Sequence, residues 1–159
     1  MPVKIRPMVK KDKPSLVGIL KDTPEFKPSE VAVAVEVIDS YLSDPEKSGY
    51  YVLVAELGSA VVGYICFGPT PMTECTWDLY WEAVDRKLQG QGIGSTLTRA
   101  AEDAIKKADG KLAVIETSSS EGYEKTLRFH FSQGYEINSR ITDFYAPGDD
   151  RLILLKKLS

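Results

Sequence analysis

Trp77-Asp78-Leu79-Tyr80-Trp81-Glu82-Ala83-Val84 and, four residues on, Gln89-Gly90-Gln91-Gly92-Ile93-Gly94-Ser95 form the stretch whose reading decides the fold. The first part is an aromatic and β-branched run, the composition of a buried strand. Beyond the second part, Ile93, Leu97, Ala100, Ala101, Ala104 and Ala108 recur at helical spacing, with Arg99, Glu102, Asp103, Lys106 and Lys107 on the other face. The glycines therefore stand where a strand hands over to a helix. They let the backbone pass close to a ligand, and the helix start aims free N–H groups and partial positive charge at the same place. Such a corner is built for a phosphate or pyrophosphate.

Two common phosphate loops are excluded by register. A P-loop needs Gly-Lys-Ser/Thr after its first glycine and four residues, and no lysine follows Gly90 before Ser95. A dinucleotide fingerprint needs Gly-x-Gly-x-x-Gly, yet starting at Gly90 the last position is Ser95, and starting at Gly92 it is Leu97. The remaining pattern is Gln/Arg-x-x-Gly-x-Gly/Ala, matched by Gln89, Gly92 and Gly94. With Val84 to Gly94 reading Val-Asp-Arg-Lys-Leu-Gln-Gly-Gln-Gly-Ile-Gly, the segment resembles the acetyl-CoA-binding segment of the GNAT superfamily of N-acetyltransferases. Arg86 stands where a proline is usual in such segments.

Away from the corner, Val3 to Pro7 reads as a strand and Lys11 to Lys21 as a helix. Pro28 to Leu42 alternates like a strand at Val31, Val33 and Val35, but Val31, Val35, Ile38 and Leu42 share a helical face, and the Lys-Pro-Ser-Glu start favours the helix. Tyr50 to Glu56 and Ala60 to Phe67 make a hairpin, followed by the strand Thr76 to Val84. After the corner helix come a strand from Leu112 to Ile115, a helix from Tyr123 to Gln133 closed by Gly134, and two strands, Tyr135 to Tyr145 and Arg151 to Lys157. This is an α+β order, a mixed and mostly antiparallel sheet flanked by helices. It is also the order of the GNAT fold, so the resemblance spans nearly the whole of residues 1–159 as one domain.

Bulk properties narrow the function classes. The 159 residues suffice for a real core, and no apolar stretch approaches the roughly 20 residues of a membrane span. Met1-Pro2-Val3-Lys4 lacks an apolar signal region, so a cytoplasmic location is expected. Two cysteines and a single histidine argue against a disulfide framework or a zinc site. A net charge of -3 argues against nucleic acid and fits an amine-bearing acceptor.

The resemblance implies acetyl transfer from acetyl-CoA to a primary amine, by direct attack with general-base assistance and without a metal. Gln89, Gly90, Gln91, Gly92, Ile93, Gly94 and Ser95 would cradle the pyrophosphate through backbone N–H groups. Glu82, Ala83 and Val84 would lie where the strand splays from its neighbour, leaving backbone groups for the pantetheine arm. A backbone N–H polarising the acetyl carbonyl is typically worth about 2.7–4 kcal/mol. Strand alternation puts Asp78, Tyr80, Glu82 and Val84 on one face, so Asp78 and Glu82 are candidate bases, with Glu116 at the end of the next strand a third. All three also read as ordinary solvated strand residues. Trp77 and Trp81 read as core.

The sequence departs from the relatives at the acid. Their last helix carries Ala-x-x-Phe-Tyr-x-x-x-Gly-Phe, whose tyrosine protonates the leaving thiolate; here the run is Thr126-Leu127-Arg128-Phe129-His130-Phe131-Ser132-Gln133-Gly134-Tyr135. His130 takes the tyrosine position and Tyr123 the place of an upstream asparagine. An imidazolium would be the donor; a packed helix residue is the other reading, and a thiolate leaving with solvent's help needs neither. The departure also motivates a second function, a GNAT-fold module that holds an acyl-CoA with weak or no turnover. Glu25, Glu30 and Glu36 are expected to border the acceptor, and Tyr145 and Asp149 to line its pocket or cap a hairpin. A small-molecule amine and a protein amine both remain open as acceptor, and dimers are common among relatives.

Overall fold

The computed structural model describes residues 2–158. Seven strands form one sheet: β1 (Lys4–Pro7), β2 (Tyr51–Leu57), β3 (Ala60–Pro69), β4 (Thr76–Val84), β5 (Leu112–Ser118), β6 (Glu136–Ala146) and β7 (Asp149–Lys157), in the order β1-β2-β3-β4-β5-β7-β6. Every pairing is antiparallel except β4 with β5. The helices are α1 (Lys13–Lys21), α2 (Pro28–Ser43), the single turn α3 (Pro45–Ser48), α4 (Ile93–Lys107) and α5 (Glu124–Ser132). The expected order holds throughout; α3 is an addition that four residues of sequence did not announce.

Two apolar layers hold the sheet between helices. Ile93, Leu97, Ala101 and Ile105 recur every fourth residue along α4 and bury against Ile65, Phe67, Trp77, Leu79, Ala113 and Ile115. Leu16, Ile19 and Leu20 of α1 and Val31, Ala34 and Ile38 of α2 pack the opposite face against Val52, Val54, Tyr64, Cys66 and Ala83. Fully burying one such aliphatic side chain contributes roughly 1.5–3 kcal/mol, so these stripes dominate the stability of the layers. The same stripe resolves Pro28 to Leu42 as helix: Val31, Ala34 and Ile38 lie on one helical face, and the Lys27 N–H is capped by Glu30 Oε1 at 3.3 Å.

The parallel β4–β5 pairing is short. It runs only through Thr76↔Leu112, Trp77↔Ala113 and Asp78↔Val114. From Leu79 to Val84, β4 pairs with β3 alone, while β5 continues beside β7 to Ser118. The sheet therefore opens into a wedge between the two strands, with the glycine corner at the wide end of β4.

Candidate active site

The corner is a left-handed turn at a helix start. Gly90 and Gly92 adopt φ values of 82° and 86°, a region that disfavours any residue with a Cβ. Gly92 is the N-cap of α4, and no side chain caps the helix there. Among the described residues, no backbone N–H from Gln89 to Ser95 donates to another protein group. A run of free donors at the positive end of a 15-residue helix can hold an anion, and no group of the protein's own fills it. Gly94 serves a different purpose: a Cβ there would come within 3.1 Å of the Phe129 ring, so glycine lets α5 close against α4.

Two side chains of α5 reach the corner from the side. Lys125 Nζ donates to Gln89 Oε1 at 3.0 Å, and Gln89 Nε2 donates to the Val84 carbonyl at 3.3 Å. Gln133 Nε2 donates to Ser95 Oγ at 2.8 Å. Because Ser95 Oγ accepts that bond, its own hydrogen is free to point elsewhere.

Glu82, Ala83 and Val84 line the open edge of β4, as expected. The shared face expected for Asp78 and Glu82 is not observed. Cys66 pairs with Trp81 and Phe67 with Leu79, leaving Tyr80 as the extra residue of a β-bulge. The bulge reverses the alternation. Trp77 and Leu79 face α4 before it, and Glu82 and Val84 face α4 after it. Asp78 lies on the opposite side, accepting from Thr70 Oγ1 at 2.7 Å and from Tyr80 Oη at 3.3 Å. Nothing in the residue types of β4 signals the bulge. Both tryptophans are core as expected, Trp77 buried and Trp81 half-buried edge-on to Phe26 at 5.5 Å.

Glu82 accepts from Thr98 Oγ1 at 2.7 Å. Burial pushes its carboxyl up to about 8, against the Thr98 bond, with the nearby Glu102 charge adding to the rise. At neutral pH this group mostly keeps its proton. Glu102 itself is a surprise: the helical pattern put it on the polar face of α4, but it is 5% exposed. It is covered by β7 and the C-terminal end of α5, where Lys156 Nζ donates to both its oxygens at 3.0 and 3.1 Å and Tyr135 Oη at 2.8 Å. Lys156 also donates to the Gln133 carbonyl at 2.8 Å. Only the distant partners of Glu102 mark it, so a local pattern could not.

His130 is half-buried beside Phe129 and Tyr135, at centroid distances of 5.6 and 6.3 Å. Burial lowers its imidazole to about 4, so the ring is neutral at pH 7. The imidazolium expected as the proton donor is thus absent at that pH, because this side of α5 packs inward and desolvates the ring.

A second group of polar residues gathers near the start of α5. Tyr123 Oη donates to Glu30 Oε2 at 2.7 Å, joining α2 to the start of α5. Burial, this bond and the charges of Glu30, Glu25 and Asp149 all raise the Tyr123 hydroxyl. Tyr145 is raised by burial first and then by Glu116, Asp149 and Glu30, with Arg151 opposing. Glu30 and Asp149 act on both tyrosines, Glu25 on Tyr123 alone and Glu116 on Tyr145 alone. Glu116 pairs with Arg151, whose guanidinium lies 5.0 Å from the centre of the Phe144 ring. Asp149 bonds Ser118. Glu36 is exposed on α2 and acts on neither tyrosine. Among the described residues, no group of His, Cys, Asp and Glu is arranged to hold a metal ion, and no helix is long and apolar enough to cross a membrane.

Comparison with known proteins places this geometry. The family described as acetyltransferase (GNAT) matches residues 15–135. A crystallised protein of Desulfovibrio desulfuricans, assigned to the GNAT acetyltransferases, is 33% identical and superimposes with a TM-score of 0.95 over 99% of this chain and 100% of its own. An uncharacterized N-acetyltransferase of Methanocaldococcus jannaschii is 28% identical over 108 residues, 65% of this chain and 64% of that protein, so the match spans just under two thirds of that relative. The PaiA N-acetyltransferase of Thermoplasma acidophilum, solved with coenzyme A, shares the fold at 16% identity and a TM-score of 0.79, over 99% of each chain.

Proposed function

The chain belongs to the acetyltransferase (GNAT) family, and we propose that it moves the acetyl group of acetyl-CoA onto a primary amine carried by a cationic acceptor. The single observation behind the donor is the run of free N–H groups from Gln89 to Ser95 at the positive end of α4. A neutral ligand could accept from individual donors but would leave the positive end of the helix without a matching charge. The pyrophosphate of acetyl-CoA satisfies both, and the unpaired edge of β4 from Leu79 to Val84 gives an extended amide-bearing arm backbone groups to bond. That a relative of the same fold was solved with coenzyme A supports the choice.

In the reaction, the amine nitrogen attacks the thioester carbonyl. A C–N bond forms, the C–S bond breaks, and the amine proton must leave. Asp78 is the base in this reading, directly or through a water. It stands where β4 parts from β5, on the face that α1 and α2 cover, and two donors hold its carboxylate as an acceptor. Glu82 faces α4 and mostly keeps its proton at pH 7, and Glu116 is engaged by Arg151. His130, neutral at pH 7, has no imidazolium proton to give, so the thiolate takes its proton from solvent. The acceptor's positive charge is read from Glu25, Glu30, Glu116 and Asp149 around Tyr123 and Tyr145. A protein N-terminus or a diamine fits this set; a neutral amine does not use it.

The test has two stages. Millimolar acetyl-CoA should raise the melting temperature by several degrees, and Gly92→Trp should abolish the rise; no shift in the wild type refutes the donor. Thioester consumption is then followed with neutral, monocationic and dicationic amines. Faster consumption with dications supports the acceptor class, and Asp78→Asn should lower the rate by roughly a hundredfold or more if Asp78 is the base. The neutral His130 favours one other reading, a module that binds acyl-CoA with little turnover. Binding without consumption of any amine would establish that reading instead.

A further inference from the structure

We propose that Lys125 is a phosphate-binding residue of the donor site, supplying from α5 a cation that the Gln89–Ser95 loop does not contain; the inference rests on the acetyl-CoA reading above. The loop binds through neutral N–H groups alone, whereas acetyl-CoA carries a pyrophosphate and a ribose phosphate. Lys125 is fixed at the rim of the loop by its 3.0 Å bond to Gln89 Oε1. That oxygen faces Lys125 because the same amide gives its nitrogen to the Val84 carbonyl. An ammonium has three donors, and Gln89 takes one.

Beyond the bond to Gln89, two features of Lys125 are not explained by the packing of α5. It lies in the first turn of α5, where the helix dipole disfavours a cation. Among the described residues it also makes no ion pair, although Arg128, one turn along, is paired with Glu124. A cation held against its own helix dipole, exposed, unpaired and beside a ring of empty N–H donors, is placed for an anion. The contact is to a phosphate oxygen of the pyrophosphate or of the ribose phosphate.

Calorimetric binding of acetyl-CoA and of its analogue lacking the ribose phosphate tests this on the intact protein. Lys125→Met should raise the Kd for acetyl-CoA by about threefold to tenfold and flatten its salt dependence, while Lys125→Glu weakens binding further and Lys125→Arg restores it. All three variants should melt without ligand as the wild type does. A loss seen equally with both ligands assigns the pyrophosphate; a loss confined to acetyl-CoA assigns the ribose phosphate. Wild-type Kd and salt dependence in Lys125→Glu overturn the inference and leave the acetyl-CoA reading intact. A wild type that binds no acetyl-CoA overturns that reading and this one together.

Discussion

The ring of Phe129 occupies the place a side chain at Gly94 would need: a Cβ built on Gly94 comes 3.1 Å from Cζ and 3.2 Å from Cε1 of that ring. The contact sets how closely α5 approaches the first turn of α4, and so where Lys125 and Gln133 sit relative to the anion corner. Gly94→Val should cost about 1–3 kcal/mol of stability by overpacking. Adding Phe129→Ala should return part of that loss, a non-additivity read from urea unfolding of the two single variants and the double variant. Strict additivity would mean the ring is not the obstacle.

Glu82 makes stability depend on pH. Its folded carboxyl is held up to about 8, against 4.5 for the ordinary group. Between those values the unfolded chain gives up the proton that the folded chain keeps, so this residue lowers stability progressively as pH rises from about 4.5 to about 8, with no further loss above. Glu82→Gln removes the effect. The melting temperature of the variant relative to wild type should therefore climb from pH 5 to pH 8 and then level off. A difference independent of pH would contradict the assigned burial.

His130 carries the opposite sign. Its imidazole is lowered to about 4 by burial, so the stability of the neutral, packed ring is present above the unfolded value of 6.5 and lost as pH falls toward 4. An NMR titration should place its midpoint well below 6. In the same protein His130→Phe should leave the acetylation rate at pH 7.5 within about threefold of wild type, since no imidazolium-mediated step is being removed. A drop of about a hundredfold would return His130 to the chemistry.

The Glu102–Lys156 pair ties α4 to β7 from within. Lys156→Met strands a carboxylate that is 5% exposed and should cost about 3–5 kcal/mol. Replacing both, Glu102→Met with Lys156→Met, should cost clearly less, because no charge is left without its partner. Chemical denaturation of the single and the double variant decides between this and a purely packing role for Lys156.

What the sequence revealed and what it hid divide along one line. Elements with a local signature were legible: the glycine corner, the amphipathic stripe of α4, the proline start of α2 and the hairpin of β2 and β3 all follow from residues adjacent in the chain. The face of Asp78 was misread because a bulge at Tyr80 is set by how β3 pairs with β4, and no residue type in the strand announces it. Glu102 was read as solvated because its cover, Lys156 and Tyr135, comes from 54 and 33 residues away. His130 has two readings in the sequence, an imidazolium donor and a packed helix residue, and only the packing around α5, set by residues distant in the chain, favours the second. Of the three glutamates of the N-terminal half, Glu25 and Glu30 lie near Tyr123 and Glu36 is exposed on α2, a difference that composition does not carry.

The three-pair junction of β4 and β5 has a consequence for how the protein survives without ligand. A strand edge with unpaired backbone groups usually invites a strand from another molecule, and proteins guard their outer edges with charge, short length or distortion. Here the vulnerable edge, Leu79 to Val84, faces inward across a narrowing wedge whose far wall is β5. A foreign polypeptide would have to bring its side chains into that wedge, between the layers of helices, to pair with it. A slender unbranched chain would not. The shape of the wedge would thus open this edge to a slender ligand and close it to a foreign strand, with Glu82 the one charged residue along it.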